Sequence, residues 1–179
     1  MSTAHDFGFL HGEWQGGHRR RADFPAPGSS REPEFPSTGH CRPLFDGAAD
    51  IDEIDVPHPG SRGLTPRLFD PSTRQWSPHW PSSDTGRLFP PVVGRHSSDG
   101  GEFPGEDTYD GKDARVRFPW SGTSPTAARW EQAFPADGGD TRVTNRAFPV
   151  DRGEARVTNR IADFTRPPAL PPASGTPSG

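Results

Sequence analysis

The chain has little of the apolar material from which most protein cores are built. Leucine, isoleucine, valine and phenylalanine together account for 28 of its 179 residues, a share that indicates disorder when the net charge is also high. The net charge is only −4, so charge repulsion does not complete that signature. Five tryptophans, each able to bury a large area, favour a folded domain with a thin core.

Cysteine and long apolar runs are also scarce. The single cysteine, Cys41, excludes an intrachain disulfide and a zinc site built from several cysteines, and it is typical of a reducing compartment. No stretch approaches the 18 apolar residues of a membrane span, and the N-terminus has no basic segment followed by an apolar run. We therefore expect a cytoplasmic protein with no membrane partner.

Lysine is nearly absent, whereas arginine is abundant, at 1 residue against 19. This bias, with 23 prolines and 21 glycines, is typical of a GC-rich genome, because these residues have GC-rich codons. An acidic run at 46–55 offsets the basic cluster at 18–21, and the isoelectric point is about 5.9. Nucleic-acid-binding domains are usually basic, so the composition argues against a nucleic-acid partner.

A phenylalanine returns every 14 to 16 residues through the second half of the chain. The series is Phe89, Phe103, Phe118, Phe134, Phe148 and Phe164. A strand of about eight residues plus a tight turn fills such a spacing, so the period predicts antiparallel strands joined by hairpins. A meander of this kind tends to close on itself, because closure removes exposed edges. The predicted fold class is all-β, a single up-and-down antiparallel β-barrel.

Two predicted hairpins carry the most information. The segments "GLTPRLFD" and "RQWSPHW" pair around Asp70 and Pro71, which suit the first two positions of a type I turn. Further on, the alternation in "DARVRFPW" and "TAARWEQAF" places apolar residues on one face of each strand. A turn centred near Thr123 would set Val116 opposite Trp130.

The prolines leave the integrity of this barrel open. Proline cannot donate to a strand ladder, yet seven Phe-Pro steps fall inside or near predicted strands. Each step marks a strand end or a bulge, or else the barrel is locally broken. The predicted barrel domain spans residues 6–166, and residues 167–179, rich in proline, glycine and serine, are predicted to form a disordered tail.

Several segments together carry a resemblance to a known family. They are "HDFGFLHGEW" at 5–14, "RGLTPRLFDPSTRQWSPHW" at 62–80, "GRLFPPVVGR" at 86–95, "GEDTYDG" at 105–111 and "RFPWSGTSPTAARWEQAFPADGG" at 117–139. On these motifs the chain resembles a bacterial family of uncharacterised proteins with a lipocalin-like (calycin) β-barrel. The resemblance implies that Trp14, in an early Gly-x-Trp, lies across the closed end of the barrel as a structural plug. It implies no reaction.

The favoured function is the binding of a small hydrophobic ligand inside the barrel. Such cavities have apolar walls and a few polar groups at the mouth. The residues expected to line the site are Trp76, Trp80, Trp120 and Trp130, although these could equally pack as core with no ligand. An enzyme of the barrel-type cyclase or isomerase class is the alternative, because such sites need no sequence motif.

The sequence does not identify catalytic residues or a cofactor. Seven histidines all lie in the first 96 residues, and none has the spacing His-Glu-x-x-His of a zinc site. A related haem-binding barrel uses a histidine near its C-terminal end, whereas this chain has none after His96. There is no Gly-x-Ser-x-Gly nucleophile elbow. We expect no metal and no cofactor.

A third hypothesis is a marginally folded chain with no ligand. The few apolar residues must offset a backbone entropy cost of about 1–2 kcal/mol per ordered residue. Residues 1–5 are expected to be loose, and residues 22–60, which bury little, are expected to fray first. Hydrogen exchange should then be fast across 22–60 and 166–179 and slower across 113–135.

Overall fold

The computed structural model describes residues 1–22, 30–57, 60–82, 86–97, 100–109, 112–135 and 156–168. These residues form two short 3-10 helices, Gly8–Leu10 and Phe45–Gly47, and twelve strands. The strands are β1 Gly12–Arg20, β2 Phe35–Leu44, β3 Ala49–Val56, β4 Ser61–Asp70, β5 Gln75–Pro78, β6 Pro81–Ser82, β7 Arg87–Leu88, β8 Arg95–Ser97, β9 Gly100–Tyr109, β10 Lys112–Ser121, β11 Ala127–Pro135 and β12 Arg156–Thr165.

Ten of these strands form a single antiparallel sheet that nearly closes into a barrel. The order is β5-β4-β3-β2-β1-β12-β11-β10-β9-β8, so each strand lies beside its neighbour in sequence and the first pairs with the last. The edge strands β5 and β8 approach each other at a bridge pair, Trp76–Gly94. Strands β6 and β7 form a separate hairpin between them. The prediction of an all-β up-and-down barrel is confirmed.

The barrel interior is formed by alternate residues of each strand, as a half-buried sheet requires. The buried core contains Phe7, Leu10, Trp14, Cys41, Trp76, Val92, Phe103, Val116, Phe118 and Phe134. Aromatic rings supply most of its volume, which is how a chain poor in aliphatic residues builds a core. No helix within the described residues has the length and apolar character needed to cross a bilayer.

The two predicted hairpins are present, but one has a different register. Strands β4 and β5 pair around Asp70, whose side chain accepts hydrogen bonds from Ser72 and Thr73 as the predicted turn requires. Strands β10 and β11 also pair, yet Trp120 lies opposite Trp130, four residues from the predicted partner Val116. The turn is centred further along the chain because Ser124 binds the backbone of Ala127 across it. A shift of four residues preserves the faces.

Among the described residues, two Phe-Pro steps lie at strand ends, which is one of the predicted alternatives, and two lie inside strands; the steps at 24–25 and 148–149 lie outside the described residues. Pro36 is the second residue of β2 and Pro135 is the last residue of β11. Pro104 and Pro119, by contrast, lie within β9 and β10, on the same strands as the inward Phe103 and Phe118. The β10–β11 pairing skips from Arg117 to Trp120, because proline supplies no N–H to the ladder at that point.

The expectations for the weakly apolar segments are partly wrong. Ser2 is buried; its hydroxyl donates to the carbonyl of His96 at 2.8 Å and accepts from the N–H of the same residue at 2.9 Å. The N-terminal residues are therefore fixed to the barrel. The range 35–56 contains β2 and β3, and Ser37, Cys41 and Asp50 on these strands are buried, although residues 22–60 were expected to bury little. Residues 169–179, most of the predicted tail, lie outside the described residues.

His96 packs against the N-terminal segment inside the barrel. Its ring centroid lies 4.8 Å from that of Phe7 and 5.3 Å from that of Phe9. Both ring nitrogens are buried with no hydrogen-bond partner. Burial lowers the pKa of His96 to about 4, an effect that the carboxylate of Asp6 only partly opposes. The imidazole is therefore neutral at pH 7.

We expect acid to weaken the attachment of this segment. The pKa of His96 is about 4 in the fold, against an ordinary histidine value of 6.5, so the unfolded chain binds more protons between these values and stability falls as pH drops through that window. From pH 7 to pH 5 this group alone costs about 1–2 kcal/mol. Urea unfolding of wild type and His96→Leu at pH 7 and pH 5 measures the contribution of His96 to this loss of stability. An identical pH dependence in the two proteins would contradict the prediction.

Candidate functional site

The inward side chains enclose a cavity of about 520 Å³. Its wall is rich in aromatic rings, six from strands β2, β9, β10, β11 and β12 and one from the segment between β5 and β6, which are Phe35, Trp80, Phe103, Phe118, Trp120, Trp130 and Phe164. Several of the rings contact one another, since Phe118 lies 4.7 Å from Trp80 and 5.8 Å from Trp130 between centroids. The volume falls within the range of about 300–1,000 Å³ that is typical of small-molecule sites.

Three of the four tryptophans expected at the site line this cavity. They are Trp80, Trp120 and Trp130, which are half-buried against the core. Trp76 does not line it. Its ring is fully buried, packs edge-on against Phe7 at 5.0 Å, and donates from Nε1 to the carbonyl of Thr3 at 3.0 Å. Trp76 therefore fixes the N-terminal segment in the fold.

Trp14 is buried away from the cavity wall. Its Nε1 donates to the carbonyl of Leu10 at 2.6 Å, and the guanidinium carbon of Arg166 lies 3.9 Å from the ring centroid. Arg166 also donates to the carbonyls of Phe9, His11, Glu13 and Pro125. One arginine just after the last strand therefore ties together both ends of the barrel sequence. Sequence reasoning missed it, because Arg166 stands at the start of a proline-rich segment without a recognisable motif.

A buried charged cluster lies at the deep side of the cavity. The Arg67 side chain is 2 % exposed; its Nε donates to Oδ1 of Asp50 at 2.6 Å and its Nη1 lies 2.6 Å from Oδ2 of Asp52. Its Nη2 contacts the sulfur of Cys41 at 3.5 Å, and its guanidinium lies over the ring of Phe7. Arg67 and Asp52 also line the cavity.

Burial shapes the ionisation of this cluster. Burial raises the pKa of Asp50 to about 6, although Arg67 opposes the shift, and it raises the pKa of the Cys41 thiol to about 12. Burial lowers the pKa of Arg67, but the carboxylates of Asp52 and Asp50 outweigh it and raise that pKa overall. At pH 7 the Asp50 carboxylate is therefore mainly ionised beside the Arg67 guanidinium, and the Cys41 thiol is neutral.

Ligand atoms of His11, Cys41 and Asp50 lie within 4.8 Å of one another, a spacing that could hold a metal ion. The guanidinium of Arg67 already contacts two of the three residues. A metal ion would have to displace this cation, so the arrangement favours an internal ion pair over metal binding.

His18 is the cavity residue best placed to act on a proton. Its Nε2 lies 2.7 Å from Oγ of Ser37, and its ring stacks on Phe35 at 5.4 Å with an interplanar angle of 9°. Gly16 makes room for this pair, because a Cβ there would lie 2.4 Å from Oγ of Ser37. Burial, and then the charge of Arg160, lowers the pKa of His18. No sequence signal pointed to this pair, since the two residues are 19 positions apart.

No protein-family model and no curated protein matches the chain. What the protein does must therefore be inferred from the cavity and its side chains.

Proposed function

We propose that the protein binds an apolar small molecule inside a barrel of the lipocalin-like (calycin) type, in the cytoplasm. The observation that carries the proposal is the cavity of about 520 Å³ with seven aromatic residues in its wall. A core that served stability alone would close around its rings, because protein interiors pack with few voids larger than a water molecule. In this proposal Trp14, held beneath Arg166, is the structural plug.

Ligand binding should be visible in tryptophan emission. Trp80, Trp120 and Trp130 line the cavity, so a bound apolar molecule changes their surroundings directly. We expect saturable changes with at least one member of a panel of linear, polycyclic and aromatic apolar compounds. Replacing Trp130 by alanine removes a large contact area and should weaken that binding roughly tenfold.

Phe45→Ala is the matched control for this experiment. Phe45 is an aromatic residue that is 76 % exposed and does not line the cavity, so its truncation should leave the affinity unchanged. Near-UV circular dichroism checks that both variants keep the fold. The absence of any saturable change across the panel, in protein that is demonstrably folded, would overturn the proposal.

The alternative of a barrel-type isomerase or cyclase has one observation in its favour. His18 lines the aromatic cavity, is held by Ser37, and has a lowered pKa, which are properties of a general base that is neutral at pH 7. A ligand recovered chemically unchanged after long incubation would favour binding alone. A product that disappears in His18→Phe, while binding persists, would favour the enzyme.

A further inference from the structure

The rim of the cavity places two arginines directly opposite each other. Arg20 on β1 pairs with Arg160 on β12 in the antiparallel register, and both line the cavity. Like charges in directly opposed positions destabilise a sheet. Arg160 is exposed to solvent and Arg20 partly so, which places this pair where the cavity meets water.

The charges of the described residues that line the cavity are strongly unbalanced. Arginine contributes five residues to the lining, and Asp52 is the single carboxylate among the described lining residues. Asp52 lies 2.6 Å from Nη1 of Arg67, so this pair cancels at the deep side. The other four arginines bring guanidinium groups to the rest of the lining, and Glu32, Asp55 and Asp163, which contact three of them, lie outside it.

The carboxylates that contact Arg19 and Arg20 lie outside the cavity lining. Arg20 donates through Nε to Glu32, and Arg19 bonds Asp163. Neither Glu32 nor Asp163 belongs to the residues that line the cavity. At the rim the lining therefore offers guanidinium N–H donors.

The aromatic wall begins immediately beside these cations. The guanidinium carbon of Arg20 lies 5.8 Å from the ring centroid of Phe35, which stacks on His18. A ligand that filled the site would therefore meet guanidinium groups at one end and ring faces along the rest of its length. The rigid fork of arginine matches the geometry of an oxyanion such as a carboxylate.

We infer that the ligand of this cavity is an amphipathic organic anion. Its oxyanion lies at the rim between Arg20 and Arg160, and its apolar body lies among Phe118, Trp120 and Trp130. This inference rests on the proposed ligand-binding function and adds to it the chemical class of the ligand. Carboxylates and sulfonates share the chemistry that the rim recognises.

Two fluorescent probes with the same apolar body test whether the cavity prefers an anionic ligand. 8-Anilinonaphthalene-1-sulfonate carries one negative charge, and N-phenyl-1-naphthylamine is its counterpart without the sulfonate. We expect the anionic probe to bind at least about tenfold more tightly, as a charge-assisted hydrogen bond predicts. Raising the salt concentration from about 50 mM to about 500 mM should weaken only the anionic probe, since added salt shortens the screening length.

Arg160→Gln and Arg42→Gln form the matched pair of variants. Both remove one positive charge, but Arg42 is an exposed residue of β2 outside the cavity lining. Arg160→Gln should cost the anionic probe about tenfold in affinity and leave the neutral probe unchanged, whereas Arg42→Gln should alter neither. Equal affinities for the two probes, unaffected by Arg160→Gln, would overturn the anion inference and keep the binding cavity. Failure of both probes to bind folded protein would count against the cavity itself.

Discussion

Replacing Gly94 by alanine is expected to open the barrel at its seam, which is the contact between Trp76 and Gly94, and to cost at least about 3 kcal/mol of the free energy of unfolding. Gly94 and Trp76 exchange two backbone hydrogen bonds, of 2.9 and 3.0 Å, which join β5 to the residue immediately before β8. A Cβ at position 94 would lie 2.2 Å from the carbonyl oxygen of Glu102 and 2.9 Å from Cα of Phe103. These are backbone atoms of β9, which is held in place by its pairing with β10. They cannot move aside without disrupting that pairing.

Gly8→Ala is the control for this substitution. An added Cβ at Gly8 has no neighbour within 4 Å, so the same chemical change there should leave stability within about 0.5 kcal/mol of wild type. Urea unfolding followed by tryptophan emission and near-UV circular dichroism measures both variants. Equal stability of the two would mean that the seam yields easily and that the barrel does not depend on the Trp76–Gly94 contact.

The sequence predicted the strands whose inner faces are aromatic. Val116, Phe118 and Trp120 alternate with polar residues, and this period of two identifies β10 and its inward face. Faces survive an error in register when the shift is an even number of residues, which is why the β10–β11 hairpin was identified although its partners were misplaced by four.

Strands β2 and β3 have only a weak sequence signal, because their inner faces are small or charged. Ser37 and Cys41 on β2 and Asp50 on β3 are buried in the barrel, so the alternation of polar and apolar residues that signals a strand is missing. What makes these residues acceptable inside is an ion pair and a hydrogen bond across strands. Such partners are separated by 17 and 19 positions and cannot be read from local sequence.

For the candidate site, the sequence predicted the aromatic wall but not the charged and polar residues. Tryptophan is an obvious marker of an apolar wall, and Trp80, Trp120 and Trp130 all lie at the cavity. The polar side of the cavity was invisible, because the opposition of Arg20 and Arg160 depends on the pairing of the first strand with the last. That pairing is a property of the closed sheet.

Replacing Arg67 by methionine is expected to cost about 3–5 kcal/mol at pH 7, because it leaves the carboxylate of Asp50 buried without a counter-charge. The Asp50 side chain is fully buried, and its Oδ2 has no hydrogen-bond partner even in the wild type. Without Arg67 the pKa of Asp50 rises further, so the folded variant takes up a proton that the unfolded chain does not hold. Stability of the variant, relative to wild type, should therefore recover as pH falls from 7 to 5.

Arg129→Met separates the effect of burial from that of the ion pair itself. Arg129 bonds Asp163 through the same atoms and at the same 2.6 Å as Arg67 bonds Asp50, but its side chain is 47 % exposed. Its loss should cost no more than about 1 kcal/mol and show no recovery at pH 5.

The double variant Arg67→Met with Asp50→Leu removes both buried charges and should regain most of the stability lost in Arg67→Met. Equal losses of unfolding free energy in Arg67→Met and Arg129→Met, with no recovery at pH 5, would contradict this prediction. That result would mean that water or another donor binds the Asp50 carboxylate once Arg67 is removed.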